Sequence, residues 1–388
     1  MLHLRANKKI EYLMRFTVSS GELVSRLQTM GKIISEKVSI PIMSNILFSV
    51  RGNSLILTAA NSENRMTTTL DIQNEEGQDG DICIPSAKLT DYIRHLPEQP
   101  ILFVINTETY ELAINSQSAV SRQVCVGAEE YPEDKGLEGD VKSFSITEDA
   151  LLSGISSTVF ATANDTIRAF MNCIYIDIEQ GGTVSFVATD SHKMARYMRS
   201  NVETGDLVCG ILLNKKPAML LRSILSKTTD EVKVSFDSRS IMFETNMYRY
   251  VTRLSEGNFP AYKSIIPNNN DFRLTINRQD MLSALMRVSV FVDGTHLVKC
   301  ELFSNSLQMI AQDTDYSYSA QETIACEYNG PELTIGFSGK YLTESLSNIE
   351  SADVTFELSD PSRPGMIRPL TQEENTDMLV MIMPMNVQ

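Results

Sequence analysis

The chain has 388 residues, 42% hydrophobic and 21% charged, with a formal net charge of −15. That length exceeds one ordinary core and calls for two to four domains of a globular protein. The apolar runs are too short to span a membrane, the N-terminal "MLHLRANKKIEYLM" lacks the apolar stretch of a secretory signal, and the acidic total counts against a nucleic-acid binder that grips through a basic patch.

Taken in chain order, the first periodic element is "FTVSSGELVSRLQTM" (16–30), a short alternating strand, a polar turn and an apolar-periodic helix expected over 20–37. Ser19 is a good N-cap, with Glu22 three residues on in the manner of a capping box. "NILFSVRGNSLILTAAN" then reads as an antiparallel hairpin, and "IPSAKLTDYIRHL" (84–96) as a strand end entering a helix over 86–97. "FSITEDALLSGISST" (144–158) repeats the opening 128 residues later, with Thr147 as cap and a helix expected over 148–168. "TVSFVATDSHKMA" (183–195) repeats "SLILTAANSENRM" (54–66), "LNKKPAMLLRSIL" (213–225) predicts a helix over 214–227, and "VKVSFDSRSIMFETNMYRYVTRL" reads as further hairpins. The third copy opens with "LTINRQDMLSALMRV" (274–288), offset by 130, with Asn277 as cap, Asp280 three residues on and a helix over 278–287. It continues through "SLQMIAQDTDYSY" (306–318) and "GFSGKYLTESLSNI" (336–349), with a helix over 339–350. "EEYP" (129–132) and "GNFP" (257–260) also lie 128 apart.

The chain is therefore three copies of a unit of about 125 residues. Each copy carries two helices among many strands, an α+β unit with its helices on one face of antiparallel sheets. The six cysteines, at 83, 125, 173, 209, 300 and 326, form no C-x-x-C pair and read as buried thiols of a reducing cytoplasm. The four histidines, at 3, 95, 192 and 296, lack metal-ligand spacing, so no metal and no cofactor is expected.

Charge is unevenly spread. The expected helices hold 13 Lys and Arg against 9 Asp and Glu, so they are the net-positive part of an acidic protein. Such a surface suits loose contact with a polyanion, because a tight grip needs dense phosphate contacts.

Asp190, Ser191 and His192 carry the three residue types of a hydrolase triad. Triad members converge from separate elements, whereas adjacent side chains diverge. The chain has no G-x-S-x-G elbow, and the matching places of the other copies hold Asn61-Ser62-Glu63 and Asp313-Thr314-Asp315. A shared turn accounts for that pattern better than a catalytic set. Three readings stand at this point: a non-enzymatic protein that touches a polyanion loosely, a hydrolase, and a sequence-specific binder, the last opposed by the lack of a helix dense in Arg, Asn or Gln.

From Met14 to Gln388 the chain resembles the bacterial sliding clamps, the beta subunits of DNA polymerase III. The resemblance rests on "MRFTVSSGELVSRL", "SIPIMSNILFSV" (39–50), "ATDSHKMA" (188–195), "EGNFPAYKSIIP" (256–267), "IGFSGKYL" (335–342) and "VMIMPM" (380–385). It implies an N-terminal extension over 1–13 and clamp domains over 14–138, 139–266 and 267–388. It also implies a head-to-tail homodimer that closes as a ring around duplex DNA without reading its sequence. Such a cytoplasmic processivity factor has no catalytic residues and no membrane association. Its partners would be the polymerase III alpha subunit, the clamp-loader complex and other clamp-binding replication and repair proteins.

By the same resemblance, Met171, Thr189, Ser191, His192, Lys193 and Met194 form one wall of a pocket for short linear peptides. Pro260 and Ile265 form another, and Met381, Ile382, Met383, Pro384 and Met385 come from the C-terminal run. Exposed apolar side chains at such a place suit an interaction site, and methionines repack readily around different peptides. The last strand can also serve as core, with alternate residues facing inward. The chain departs from the family's usual Gly-His-Arg-Leu at Ser191-His192-Lys193-Met194, and from a basic residue near Ser264. Lys37, Arg168 and Phe170 fall on loops where the family meets the duplex, with Ala169 replacing an aromatic neighbour. Val290 and Phe291 align with the dimer contact, facing the strand near Val120 of the second subunit; Phe291 fits an ordinary core place equally well.

Overall fold

The computed structural model describes residues 13–34, 40–74, 77–292, 294–313 and 317–387. Residues 1–12, most of the expected extension, lie outside this set, and Leu13 already opens the first strand, paired with Asn106. All the strand pairing given is antiparallel.

Six α-helices are present: α1 (Ser20–Gly31), α2 (Ser86–Arg94), α3 (Glu148–Ser156), α4 (Lys215–Arg222), α5 (Arg278–Val288) and α6 (Gly339–Ser347). The expected caps form. Ser19 accepts from the Glu22 N–H, Thr147 from Ala150, and Asn277 from Gln279 and Asp280. Ser338 caps α6 through the Tyr341 N–H.

Several helices stop earlier than their periodicity suggests. The third ends at Ser156, and the expected stretch to 168 becomes a 3-10 turn (Val159–Ala161) and a loop. The cause is side-chain competition for the backbone. Thr158 Oγ1 donates to the Gly154 carbonyl at 2.6 Å, and Asp165 Oδ1 accepts from the N–H groups of Ile167 and Arg168, each at 2.8 Å. With the observed boundaries the helices carry nine basic and six acidic residues, so they remain net positive.

The chain forms two compact units. The first contains residues 1–143 and 223–253. Its five-stranded sheet runs Gln73–Asn74, Leu13–Ser19, Pro100–Asn106, Glu111–Asn115, Val120–Val124, leaving the last at the edge. In its other sheet Arg249–Arg253 pairs with Asn64–Asp71, register Arg249 to Thr67. The core here includes Phe16 stacked on Phe103 at 5.0 Å, and each such buried ring stabilises by roughly 1.5–3 kcal/mol.

The second unit contains residues 144–222 and 254–388. Its nine-stranded sheet runs Cys209–Asn214, Cys173–Glu179, Thr183–Thr189, Lys193–Arg199, Thr376–Ile382, Gly365–Pro369, Asp353–Leu358, Phe272–Asn277, Glu327–Tyr328. Thus the middle copy's Lys193–Arg199 pairs with the last strand of the third copy, Lys193 opposite Ile382 and Arg199 opposite Thr376. In both units a sheet crosses from one sequence copy to the next, which removes an edge that a lone copy would expose. The compact units consequently do not follow the repeat boundaries.

None of the six cysteines is in a disulfide. Cys83, Cys125, Cys173 and Cys300 are buried, and Cys209 and Cys326 partly so. Burial pushes the Cys83 and Cys125 thiols up to about 12, which leaves them unreactive. Among the described residues no group of three or more His, Cys, Asp or Glu side chains could hold a metal ion, and no helix is long and apolar enough to cross a membrane.

Candidate functional site

The Asp190–Lys193 turn joins two strands of the second unit, closing on the pair Thr189–Met194. Its letters serve the turn itself. Asp190 Oδ1 accepts from the backbone N–H groups of His192 and Lys193, each at 2.9 Å, the Asx geometry of a tight turn. Thr189 Oγ1 donates to the Lys193 carbonyl at 2.8 Å and accepts from the Ser191 N–H at 3.2 Å. Ser191 takes the left-handed conformation, φ 76°.

The remaining Asp190 oxygen faces Lys193 Nζ at 2.6 Å, while the His192 ring stacks on Tyr341, 5.8 Å between centroids. Among the described residues no hydrogen bond joins the side chains of Asp190, Ser191 and His192 to one another. The hydrolase reading fails on this geometry, since a triad needs its base hydrogen-bonded to both nucleophile and carboxylate.

The C-terminal run lies alongside the turn. Met194 pairs with Met381, the Met383 N–H donates to the His192 carbonyl at 2.9 Å, and the Met385 N–H donates to the Gly336 carbonyl at 2.8 Å. The apolar side chains then sort into two layers. Met194, Met381, Val187, Leu379 and Tyr262 form one buried cluster, with Tyr175, Phe259 and Ile266 packed against it. Met171, Thr189, Lys193 and Ile382 are buried as well. Ser191, His192, Pro260, Ile265 and Met383 are exposed, and Pro384 and Met385 half-buried.

Of the thirteen residues expected in the walls, six are buried and seven present surface. Strict inward–outward alternation fails along the last strand, where Met381 and Ile382 are both buried. A strand covered on both faces has no solvent side to alternate toward.

The Pro260–Ile265 wall is fixed from below. The Tyr175 and Phe259 rings stack at 4.8 Å, and Tyr262 Oη donates to Asp177 Oδ2 at 2.9 Å. Burial, then the Asp177 carboxylate, pushes the Tyr262 hydroxyl up to about 12. Lys263 Nζ bridges Asp177 at 3.1 Å and Glu179 at 2.9 Å. Burial opposes that ammonium, but its hydrogen bonds to Glu179 and Asp177 outweigh the cost and raise its pKa. Tyr262 escaped the sequence reading although it lies inside "FPAYKSII", between two residues assigned to the wall. Tyr341 lies likewise inside "IGFSGKYL".

Of the other expected residues, Lys37 lies outside the described residues. Arg168 pairs with Asp165 at 2.8 Å on the loop that Asp165 caps. Hydrogen bonds from the Arg168 and Ile167 N–H groups and the Arg168 side chain hold the Asp165 carboxyl down, to about 2. Phe170 is half-buried, edge-on against Phe259 at 6.0 Å. On the same loop Ile167 is 90% exposed, a projecting apolar residue that periodicity had placed in a helix. Val120 is 52% exposed at the start of an edge strand. Val290 is 75% and Phe291 38% exposed, on the 3-10 turn Ser289–Phe291 that follows α5, so Phe291 is not an ordinary core residue.

Fold and site together define a protein built from three copies of one α+β unit, with apolar side chains exposed beside the Asp190–Lys193 turn. Comparison with known proteins makes this specific. Family descriptions of the DNA polymerase III beta subunit match in three parts: the N-terminal domain at residues 14–134, the central domain at 145–261 and the C-terminal domain at 263–386. A beta sliding clamp of Pseudomonas aeruginosa is 26% identical over 376 residues, 96% of this chain and 100% of that protein. The crystal structure of a sliding clamp from that organism bound to griselimycin superposes with TM-score 0.89 at 25% identity, covering 96% of this chain and 100% of that one. One from Bartonella birtlesii, also bound to griselimycin, gives 0.88 at 27% identity, covering 97% and 100%.

The chain belongs to the DNA polymerase III beta subunit family, the bacterial sliding clamps. It is a non-catalytic processivity factor of DNA replication.

Proposed function

We propose that two copies of this chain close head to tail into a ring around duplex DNA, and that the site around Met194 and Met383 receives short peptides of its partners. The observation that carries the proposal is the two-layered site. A buried methionine and aromatic cluster adjoins exposed Pro260, Ile265 and Met383, so apolar surface sits in water where a monomer gains nothing from it. The partners are the polymerase III alpha subunit, the clamp loader and other replication and repair proteins, all met in the cytoplasm. Methionine side chains adapt to such a range of peptides.

Ring closure uses Val290 and Phe291 of one subunit against the strand at Val120 of the other. The contact occurs twice, related by two-fold symmetry. Arg168 and Phe170 lie on a loop that meets the duplex, Phe170 also bracing that loop against Phe259, and Lys37 is a further residue that meets it. The domains run 14–138, 139–266 and 267–388, with 1–13 as an extension. Griselimycin, to which the two relatives' crystal structures are bound, is expected to bind this chain, at the two-layered site. Calorimetric titration of the chain with a short apolar peptide tests the reading: saturable binding that griselimycin displaces supports it, and absence of binding contradicts it.

A further inference from the structure

The Lys193 side chain is 4% exposed, too deep to offer its ammonium to a ligand. A buried charge persists only when paired and hydrogen-bonded. Here two carboxylates share it, Asp190 Oδ2 at 2.6 Å and Glu344 Oε2 at 2.9 Å, and the Tyr341 ring lies 4.4 Å from Nζ. Burial disfavours the ammonium, yet the hydrogen bonds to Asp190 and Glu344 prevail and its pKa is raised.

The two carboxylates do different work. Asp190 belongs to the same turn and is also engaged by the backbone N–H groups of His192 and Lys193. Glu344 comes from α6, 151 residues further along the chain. Its Oε2 is buried, with the Lys193 ion pair as its polar contact. Tyr341 lies three residues before Glu344, so both face the same way from the helix. Tyr341 takes the His192 ring while Glu344 takes the Lys193 ammonium. The His192 carbonyl in turn holds the Met383 N–H. A connected path thus runs from α6 through the turn to the first exposed methionine of the C-terminal run.

We propose that Glu344 is a positioning residue for the peptide site: by clamping Lys193 it fixes the Asp190–Lys193 turn on α6, and with it the placement of His192 and Met383. Glu344 itself touches no ligand. The inference rests on the peptide-site reading given above. It explains why a lysine can stand in a wall position without presenting its charge.

The test uses the full-length chain and griselimycin as probe, titrated calorimetrically, with hydrogen exchange measured over 189–194 and 383–387. Glu344→Gln leaves a neutral Lys193–Asp190 pair, so the fold should survive. Binding should weaken about tenfold, because breaking a buried tie loosens the segments it joins. Exchange should rise in both segments while the circular dichroism spectrum and the mass in solution stay those of the wild type. Lys193→Met should weaken binding at least as much. In the double variant the losses should not add, since both substitutions remove one contact. Wild-type binding that Glu344→Gln leaves unchanged, or losses that add, would overturn the positioning role alone. Failure of the wild type to bind griselimycin would overturn the peptide-site reading and this inference with it.

Discussion

The backbone N–H of Met383 donates to the carbonyl of His192 at 2.9 Å, so the exposed end of the C-terminal run hangs from the turn that carries Asp190 and Ser191. Deleting Met383–Gln388 removes that bond and the Met385–Gly336 bond, together with several apolar side chains. Each contributes on the order of 1–3 kcal/mol when covered by a ligand. Peptide titration should show binding lost, and size-exclusion chromatography should show the assembly intact. Normal binding by the truncated chain would mean that the site lies elsewhere.

Ser191→Ala separates the two readings of the turn. The Ser191 hydroxyl is exposed, and its backbone N–H makes the bond to Thr189 Oγ1. Removing the hydroxyl should change peptide affinity by less than ~1 kcal/mol, the usual net worth of one hydrogen bond. A hydrolytic activity that fell by orders of magnitude in this variant would restore the triad.

Phe291→Asp places a carboxylate in the proposed subunit contact, where it would be desolvated and unpaired. Sedimentation should give monomers with an unchanged circular dichroism spectrum, because residue 291 is half-exposed in the single chain and the cores do not depend on it. An unchanged dimer would show that the contact is made by other residues.

Gly154 sits on α3 facing the Phe186 ring, and a Cβ there would fall 2.4 Å from a ring carbon. Gly154→Ala should destabilise the second unit by roughly 1–3 kcal/mol through overpacking, despite the better helix propensity of alanine. Thermal unfolding followed by circular dichroism measures it, and a rise in melting temperature would contradict the packing.

The Asp165 carboxyl, held down to about 2 by the Arg168 and Ile167 N–H groups and the Arg168 side chain, makes loop order depend on pH in one direction. Its folded value lies below the unfolded value near 4, so its contribution is complete above that and is lost as pH falls toward 2. The carboxyl resonance of Asp165 should titrate at the low end of that window, and the Ile167 amide signal should broaden with it. Titration at the ordinary aspartate value would show that the loop is not closed in this way.

Local chemistry was legible in the sequence; long-range packing was not. Ser19, Thr147 and Asn277 act within three residues of themselves, and all three cap as their positions indicate. The three copies follow from self-similarity alone. The end of α3 was obscured because "STVFATANDT" keeps a helical apolar spacing while Thr158 and Asp165 turn the backbone away. Lys193 looks in the sequence like an exposed wall residue. Its burial depends on Glu344 and Tyr341, which arrive from a helix in another copy. Phe291 could not be assigned to core or surface until the turn after α5 was placed. Tyr262 and Phe259 were hidden because aromatic residues in a loop give no periodic signal.

Retention on DNA tests the central claim most directly. The protein is loaded onto nicked circular duplex by a clamp loader, freed of unbound chain by gel filtration, and followed before and after one restriction cut. A ring that encircles without gripping should stay on the circle and leave through the ends of the linear molecule within the time of the assay, faster as salt screens its remaining phosphate contacts. Equal retention on circular and linear DNA would mean chemical grip and would contradict the account.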